Sequence, residues 1–442
     1  MHFVKKAVFS VALLMIFLCS IPAWGKVYID INAPAFQRYP TAVCDFRNAG
    51  PRDDGDNLSN WFSDTVTKAL TMTGFFRVIP QDAFLQSGKT AGITLEEIDF
   101  TAWTALNVDF LITGAFAFDG TTVTAEFRLF DVYEGKLIVG KRYRGSFDER
   151  KTMVYKFVES MLEVLTGDRG VFDTEIAFVG AKGKTSEVYT VSFDGERTRQ
   201  LTNFQSICLS PEWSPDGKHV SFTSYVKNNP DHYILDVDTK KVWRTAHFDG
   251  INLSAPWSPD GAELLLVLSK DGNEEIYTMN YDSRKLQRLT RSHAIDVSPT
   301  WSPDGERIAF VSNRSGSPQI FVMDNRGNNV RRLTFEGSYN TSPAWSPVAD
   351  KIAYEGVTNG HYQIFVIDAD GGEPVQVTFG AGGAESPSWS PDGMYIAFWS
   401  ATKNGTRVCV VNANGMNVRT MENVTGFTAI KGISWSPHIN VY

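Results

Sequence analysis

From residue 171 onward, apolar residues come in short runs, each closed off by glycine, proline, asparagine or aspartate. Residues 298–334 carry the pattern most plainly: Thr300-Trp301, then Ile308-Ala309-Phe310-Val311, then Ile320-Phe321-Val322, then Val330 to Leu333. Short β-branched and aromatic runs bounded by turn residues predict strands, here four to a unit. Between the first two stands Ser302-Pro303-Asp304-Gly305. Proline presets φ for the second position of a type I turn, aspartate suits the third and glycine the fourth, so the pair is a tight hairpin.

The unit recurs. Trp-Ser-Pro stands at Trp213, Trp257, Trp301, Trp345, Trp389 and Trp435, at intervals of 44, 44, 44, 44 and 46 residues. A period of this size predicts stacked supersecondary units, and four-stranded units set radially predict a β-propeller. Sets of second-to-fourth strands begin near Ile176, Val220, Leu264, Ile308, Ile352 and Ile396. The first set has no Trp-Ser-Pro ahead of it, and the last Trp-Ser-Pro has no set behind it. Residues 430–437 are therefore expected to supply the innermost strand of the blade begun at Ile176, closing a six-bladed ring with the C-terminal strand. The six tryptophans read as structural, because turn geometry accounts for the motif and indole rings suit packing between blades.

Ahead of the repeat the period changes. Apolar residues at Leu58, Phe62, Val66, Ala69 and Leu70 predict a helix over 58–73 closing at Gly74, and Met153, Phe157, Met161 and Leu165 predict another over 149–165. A third helix is expected over 95–106. Strands are expected over 41–47, 75–80 and 108–117, with a hairpin of 121–132 and 136–145 turning at Glu134-Gly135. Residues 26–170 thus read as a small α/β domain and 171–442 as the propeller. Neither carries GxxxxGK[ST], GxGxxG or metal-ligand spacing, and the chain lacks the GxSxG of the peptidases to which such propellers are fused.

Composition then locates the chain. Residues 1–25 hold Lys5 and Lys6, an apolar run of about a dozen residues, too short to span a bilayer, and Ala23-Trp24-Gly25, which fits a signal peptide cleaved after Gly25. Its loss would change the net charge from −8 to −10, against nucleic acid and anionic membranes as partners. An exported, soluble protein is expected, without membrane insertion. Cys44, Cys208 and Cys409 remain, an odd number in apolar surroundings, read as buried small hydrophobes.

A partner would be read where the units differ. The loops entering the innermost strands carry Phe204, His247, Asp249, His293, Asp296, Tyr339 and Phe379, aromatics among polar groups on one rim, as protein-binding surfaces do. The histidines sit in different blades with no shared ligand spacing, so no catalytic residue, metal or cofactor is assigned. A propeller enzyme, or a glycan or small-ligand binder with a site in the central channel, is the alternative.

The α/β domain with Gly74-Phe75-Phe76, Phe130-Asp131-Val132-Tyr133 and Leu165-Thr166-Gly167, followed by six Trp-Ser-Pro units, resembles the TolB family of periplasmic Tol-Pal components. The resemblance implies a monomeric, non-catalytic scaffold supporting outer-membrane integrity and cell division. It implies a Pal-like peptidoglycan-associated lipoprotein at the propeller mouth, and a TolA-like inner-membrane protein reached through the N-terminal arm Lys26, Val27, Tyr28, Ile29, Asp30 and Ile31.

Overall fold

The computed structural model describes residues 36–52, 57–84, 92–403 and 405–439. The leader over 1–25 and the arm over 26–31 lie outside the described residues.

The first domain is a six-stranded sheet built from β1 (Tyr39–Val43), β2 (Arg47–Asn48), β3 (Phe76–Val78), β4 (Phe110–Phe118), β5 (Thr122–Asp131) and β6 (Lys136–Ser146). Its order is β3-β1-β4-β5-β6 with β2 beside β4; β1 runs parallel to β3 and β4, and β4, β5 and β6 are antiparallel. Alternate residues feed two cores, because successive side chains of a strand point to opposite faces. Val43, Ile112 and Leu129 join the core under α1 (Leu58–Thr73) and α3 (Arg150–Thr166), whereas Ala42, Cys44, Leu111 and Phe130 join a second core with Trp103 of α2 (Phe100–Ala105). Gly114 is required where the helices dock: a Cβ there would lie 2.1 Å from the Phe46 ring.

The helix ends have local causes. Gly74 closes α1 in the left-handed region at φ 74°, which glycine adopts without a Cβ clash. Ser146 and Glu149 form a capping box before α3. The expected helix over 95–106 is a correction: only Phe100–Ala105 is helical, because Asp99 caps it by accepting the Thr101 amide, and residues 92–98 are turn and coil.

Six four-stranded antiparallel sheets follow as blades: 208–246, 252–288, 296–332, 340–376, 385–420, and a sixth made of Ala429–Trp435 with Glu175–Lys182, Thr185–Ser192 and Thr198–Gln200. The closing pairing runs from Ala429 opposite Ala181 to Trp435 opposite Ile176, as the count of units requires. Each Trp-Ser-Pro-Asp-Gly hairpin is the expected turn, with the glycine amide donating to the serine carbonyl at 2.9–3.0 Å and glycine φ near 70°. The serine hydroxyl also donates to the aspartate carboxylate, at 2.6 Å in Ser214–Asp216 and Ser258–Asp260. The tryptophans lie between blades: Trp301 packs with Leu265, Ile276 and Leu289 of blade two, and Trp345 with Ala309, Val311 and Ile320 of blade three. The fourth strands are shorter than the pattern suggests, down to Arg331–Arg332 in blade three. Outer strands lie against solvent on one edge, and little apolar area holds them.

The domains share one apolar core. Phe75 meets Tyr395, which stacks near Trp435, and Phe172 meets both Tyr155 and Phe193. Polar contacts pin the join: Lys151 lies 2.6 Å from Asp194, and Tyr395 and Asn412 donate to the Thr73 carbonyl at the end of α1. Cys44, Cys208 and Cys409 are buried.

Ring closure buries Ile430, Ile433 and Trp435, each worth about 1.5–3 kcal/mol. Deleting residues 429–442 should therefore lower the melting temperature by about 10 °C or more, read by near-ultraviolet circular dichroism. A melt matching the full chain would contradict closure by this strand.

Candidate functional site

Each innermost strand enters the ring through a loop on one face, and the loop joining second and third strands lies beside it. The two are tied together: Asn229 donates to the Phe248 carbonyl at 3.1 Å, Asn273 to the Ser292 and Ala294 carbonyls, and Gln363 to the Gly380 carbonyl at 2.7 Å. The rim is therefore a braced surface.

On it, Phe335 and Phe379 are 71 % and 74 % exposed, unusual for phenylalanine. Arg332 lies over the Phe335 ring at 5.0 Å, which holds the ring in place. Tyr339 is half-exposed and meets Tyr362 edge-on at 6.0 Å. His247 and Asp249 are exposed together in the loop between blades one and two, and His293 is exposed in the loop between blades two and three.

Two of the expected rim residues are drawn inward. Phe204 packs on Phe222 and Tyr233 at 5.8 Å in the core of the first blade, half-buried. Asp296 is a correction: it is fully buried at the start of its strand and 2.7 Å from Arg314, so it fixes the loop and offers a partner nothing. Burial pushes its carboxyl above the usual range despite that arginine.

Inside the rim the channel narrows. A cavity of 160 Å³ is walled by Ser-Pro pairs such as Ser210-Pro211, Ser298-Pro299 and Ser386-Pro387. Each innermost strand bulges here, and Ser210, Ser298, Ser342 and Ser386 take φ between 48° and 55°, where the sixth blade has Gly432 at 55°. A left-handed residue opening a bulge turns the strand and breaks its pairing register. Below lies a wider cavity of 370 Å³ walled by the six Trp-Ser-Pro segments.

Acids stand at two further places, of which sequence reading missed Glu212 and Glu355. Glu212 stands in the channel wall directly before Trp213, where the other units have Pro256, Thr300, Ala344, Ser388 and Ser434. Burial pushes its carboxyl up to about 8, against the Ser434 hydroxyl that donates to it at 3.2 Å. The signal was one acid among six equivalent positions. Glu355 and Glu385 form the second place, near the Tyr339–Tyr362 pair. Glu355 accepts from the Ser386 amide and the Thr341 hydroxyl, and burial with the Glu355 charge raises Glu385 to about 7. Among the described residues no group of three His, Cys, Asp or Glu side chains has the geometry to hold a metal ion.

A braced aromatic rim on a six-bladed ring, joined to a small α/β domain, defines the class of propeller-based binding proteins. Comparison gives the particular family. The TolB beta propeller domain matches residues 162–439 and the TolB amino-terminal domain residues 27–138, so the chain belongs to the TolB family. It is 46 % identical over 226 residues to the Tol-Pal system protein TolB of Syntrophus aciditrophicus, covering 49 % of this chain and 50 % of the relative. It is 39 % identical over 231 residues to that of Desulfosudis oleivorans, covering 52 % of each. These alignments span about half the length of the curated relatives. The crystal structure of TolB from Acinetobacter baumannii superposes with a TM-score of 0.79 at 25 % identity, covering 91 % of this chain and 97 % of that one. No helix among the described residues is long and apolar enough to cross a membrane.

Glu212 carries a sign-defined pH dependence. Its folded value lies above the ordinary carboxylate value, so the native state keeps a proton that the unfolded chain releases. Its stabilising contribution is full below the ordinary value and is lost as pH rises through about 8. Glu212→Gln should melt like the parent near pH 4 and about 2–4 °C higher near pH 9. An identical difference at both pH values would contradict this.

Proposed function

We propose that the chain is a periplasmic, non-catalytic scaffold of the Tol-Pal system that holds a Pal-like lipoprotein at the propeller rim. One observation carries the reading: Phe335, Phe379 and Tyr339 stand exposed on loops that the neighbouring connections brace. Rigid aromatics ringed by polar groups are what binding hot spots are made of, since little entropy is lost in fixing them. The relatives' name, Tol-Pal system protein TolB, supports the system, and the partner class is our reading from the resemblance.

In this reading His247, Asp249, His293 and Phe204 belong to the same surface, with Phe204 acting through the loop it anchors. The arm Lys26 to Ile31 reaches a TolA-like inner-membrane protein by adding a strand to its sheet. We place the domain division near residue 170, with cleavage after Gly25. The mature chain works as a monomer, without a cofactor, in support of outer-membrane integrity and cell division.

Alanine substitution at Phe335, Tyr339 and Phe379 together should weaken capture of a Pal-like lipoprotein about 100-fold in calorimetry, with an unchanged melt. A second triple variant at His247, Tyr339 and His293 should lose about tenfold. Parental affinity in both would overturn the rim assignment.

A further inference from the structure

The face of the ring opposite the rim carries the Ser-Pro-Asp-Gly hairpins, and the seams between blades open onto it. In every blade the first residue of the second strand points to this face: Glu175, His219, Glu263, Arg307, Lys351 and Tyr395. Several are matched to the tryptophan of the next blade. Tyr395 stacks on Trp435 at 6.2 Å, and His219 stacks on Trp257 at 6.2 Å. Arg307 places its guanidinium 5.0 Å over Trp345 and lies 2.6 Å from Asp350. Glu175, in the sixth blade, is neutralised by Arg197 and Arg199 at 3.0 and 2.8 Å.

Glu263 breaks the series. The seam between blades two and three is an open groove of 490 Å³, lined by Trp301, Glu263, Asp260, Asp304, Gln287 and Arg326 among others. In the next seam, Arg331 stands where Gln287 stands here, and it donates to the Ala369 carbonyl at 2.6 Å and approaches Asp370. Seam three–four is thus closed by two arginines from one blade meeting carboxylates of the next. Seam two–three has the indole and the acids, but blade two supplies no cation. Burial and the neighbouring Asp260 push the Glu263 carboxyl above its usual range, and no described donor or cation is paired with it. Asp260 and Asp304 each accept their hairpin serine hydroxyl, which holds their carboxyls below the usual range, so the groove has three acids against Arg326 at its edge and Arg307 beside Asp304.

We propose that this groove binds a guanidinium group presented by an arginine of a partner polypeptide. The group lies over Trp301 and pairs with Glu263, as Arg307 lies over Trp345 and pairs with Asp350. A planar guanidinium suits both contacts at once, stacking on the indole while donating to a carboxylate, which an ammonium does less well. The groove has room beyond one side chain, and Asn280, Gln287 and Asn325 along it offer amides to a flanking main chain. It opens away from the rim, so both surfaces can be filled together, and it does not rest on the reading of the rim.

The test titrates the mature chain with an acetylated, amidated Gly-Arg-Gly peptide, its citrulline counterpart and free arginine, following tryptophan fluorescence. The arginine peptide should bind in the millimolar range, and the citrulline peptide about tenfold more weakly or worse. Glu263→Gln should weaken the peptide about tenfold. Glu263→Arg should supply the guanidinium from within, abolish peptide binding and leave both the melt and lipoprotein capture at the rim unchanged. No binding at about 10 mM, undiminished binding to Glu263→Arg, or equal binding of the citrulline peptide would overturn the proposal. Equal binding of free arginine would overturn the polypeptide as its source.

Discussion

The antiparallel pairing of Ala429–Trp435 onto Glu175–Lys182 is the constraint on which the rest depends. An open array of blades would leave one apolar seam bare at each end, because a blade cannot bury both faces alone. Joining the last strand to the first blade removes both ends in one step. It also ties residues 435–438 to the start of the propeller: Trp435 donates to the Thr174 hydroxyl, Ser436 exchanges hydrogen bonds with Glu175, and His438 lies 2.6 Å from Asp173. Tyr395, Asn412 and Asn417 of blade five are then in place to donate to the Thr73 and Met72 carbonyls at the end of α1. Ring closure and domain docking are therefore coupled through one set of side chains.

This coupling explains a division of labour around the ring. Blades five and six are committed to the first domain through Tyr395, Asn412 and Asp194. Their hairpin face is occupied. At the hairpin face of blades one to four the seam residues vary in charge and kind, from His219 and Glu263 to Arg307 and Lys351. On the rim face, loop variation is spread over all blades, but exposed phenylalanine is concentrated at the entries to blades four and five. The scaffold is uniform where strands pair and specific where they do not.

Most of the architecture was legible because it rests on local rules repeated many times. Four strands, a serine-proline-aspartate-glycine turn and a fixed interval left one arithmetic solution for the ring. The end of the first helix at Gly74 was marked by a residue whose backbone preference is strong. The helix over 95–106 was overextended because apolar spacing continues upstream of Asp99, whereas the cap decides where helical hydrogen bonding starts. The candidate rim was legible only as a set of loops. Whether a loop residue points out, as Phe379 does, or in, as Asp296 does, depends on a partner from another connection, here Arg314. The Glu212 and Glu263 environments were hidden for the same reason: Glu212 is one acid among six aligned positions and Glu263 one of two, and the meaning of each comes from what the adjacent strands and blade place beside it.

The central claim is that partner binding belongs to the braced rim. Hydrogen exchange of the mature chain, with and without a Pal-like lipoprotein, tests it most directly. The account predicts slowed exchange in the loops over 335–342 and 379–386, with the Ser-Pro-Asp-Gly hairpins unchanged. Protection confined to the hairpin face, with the rim loops exchanging as before, would contradict it.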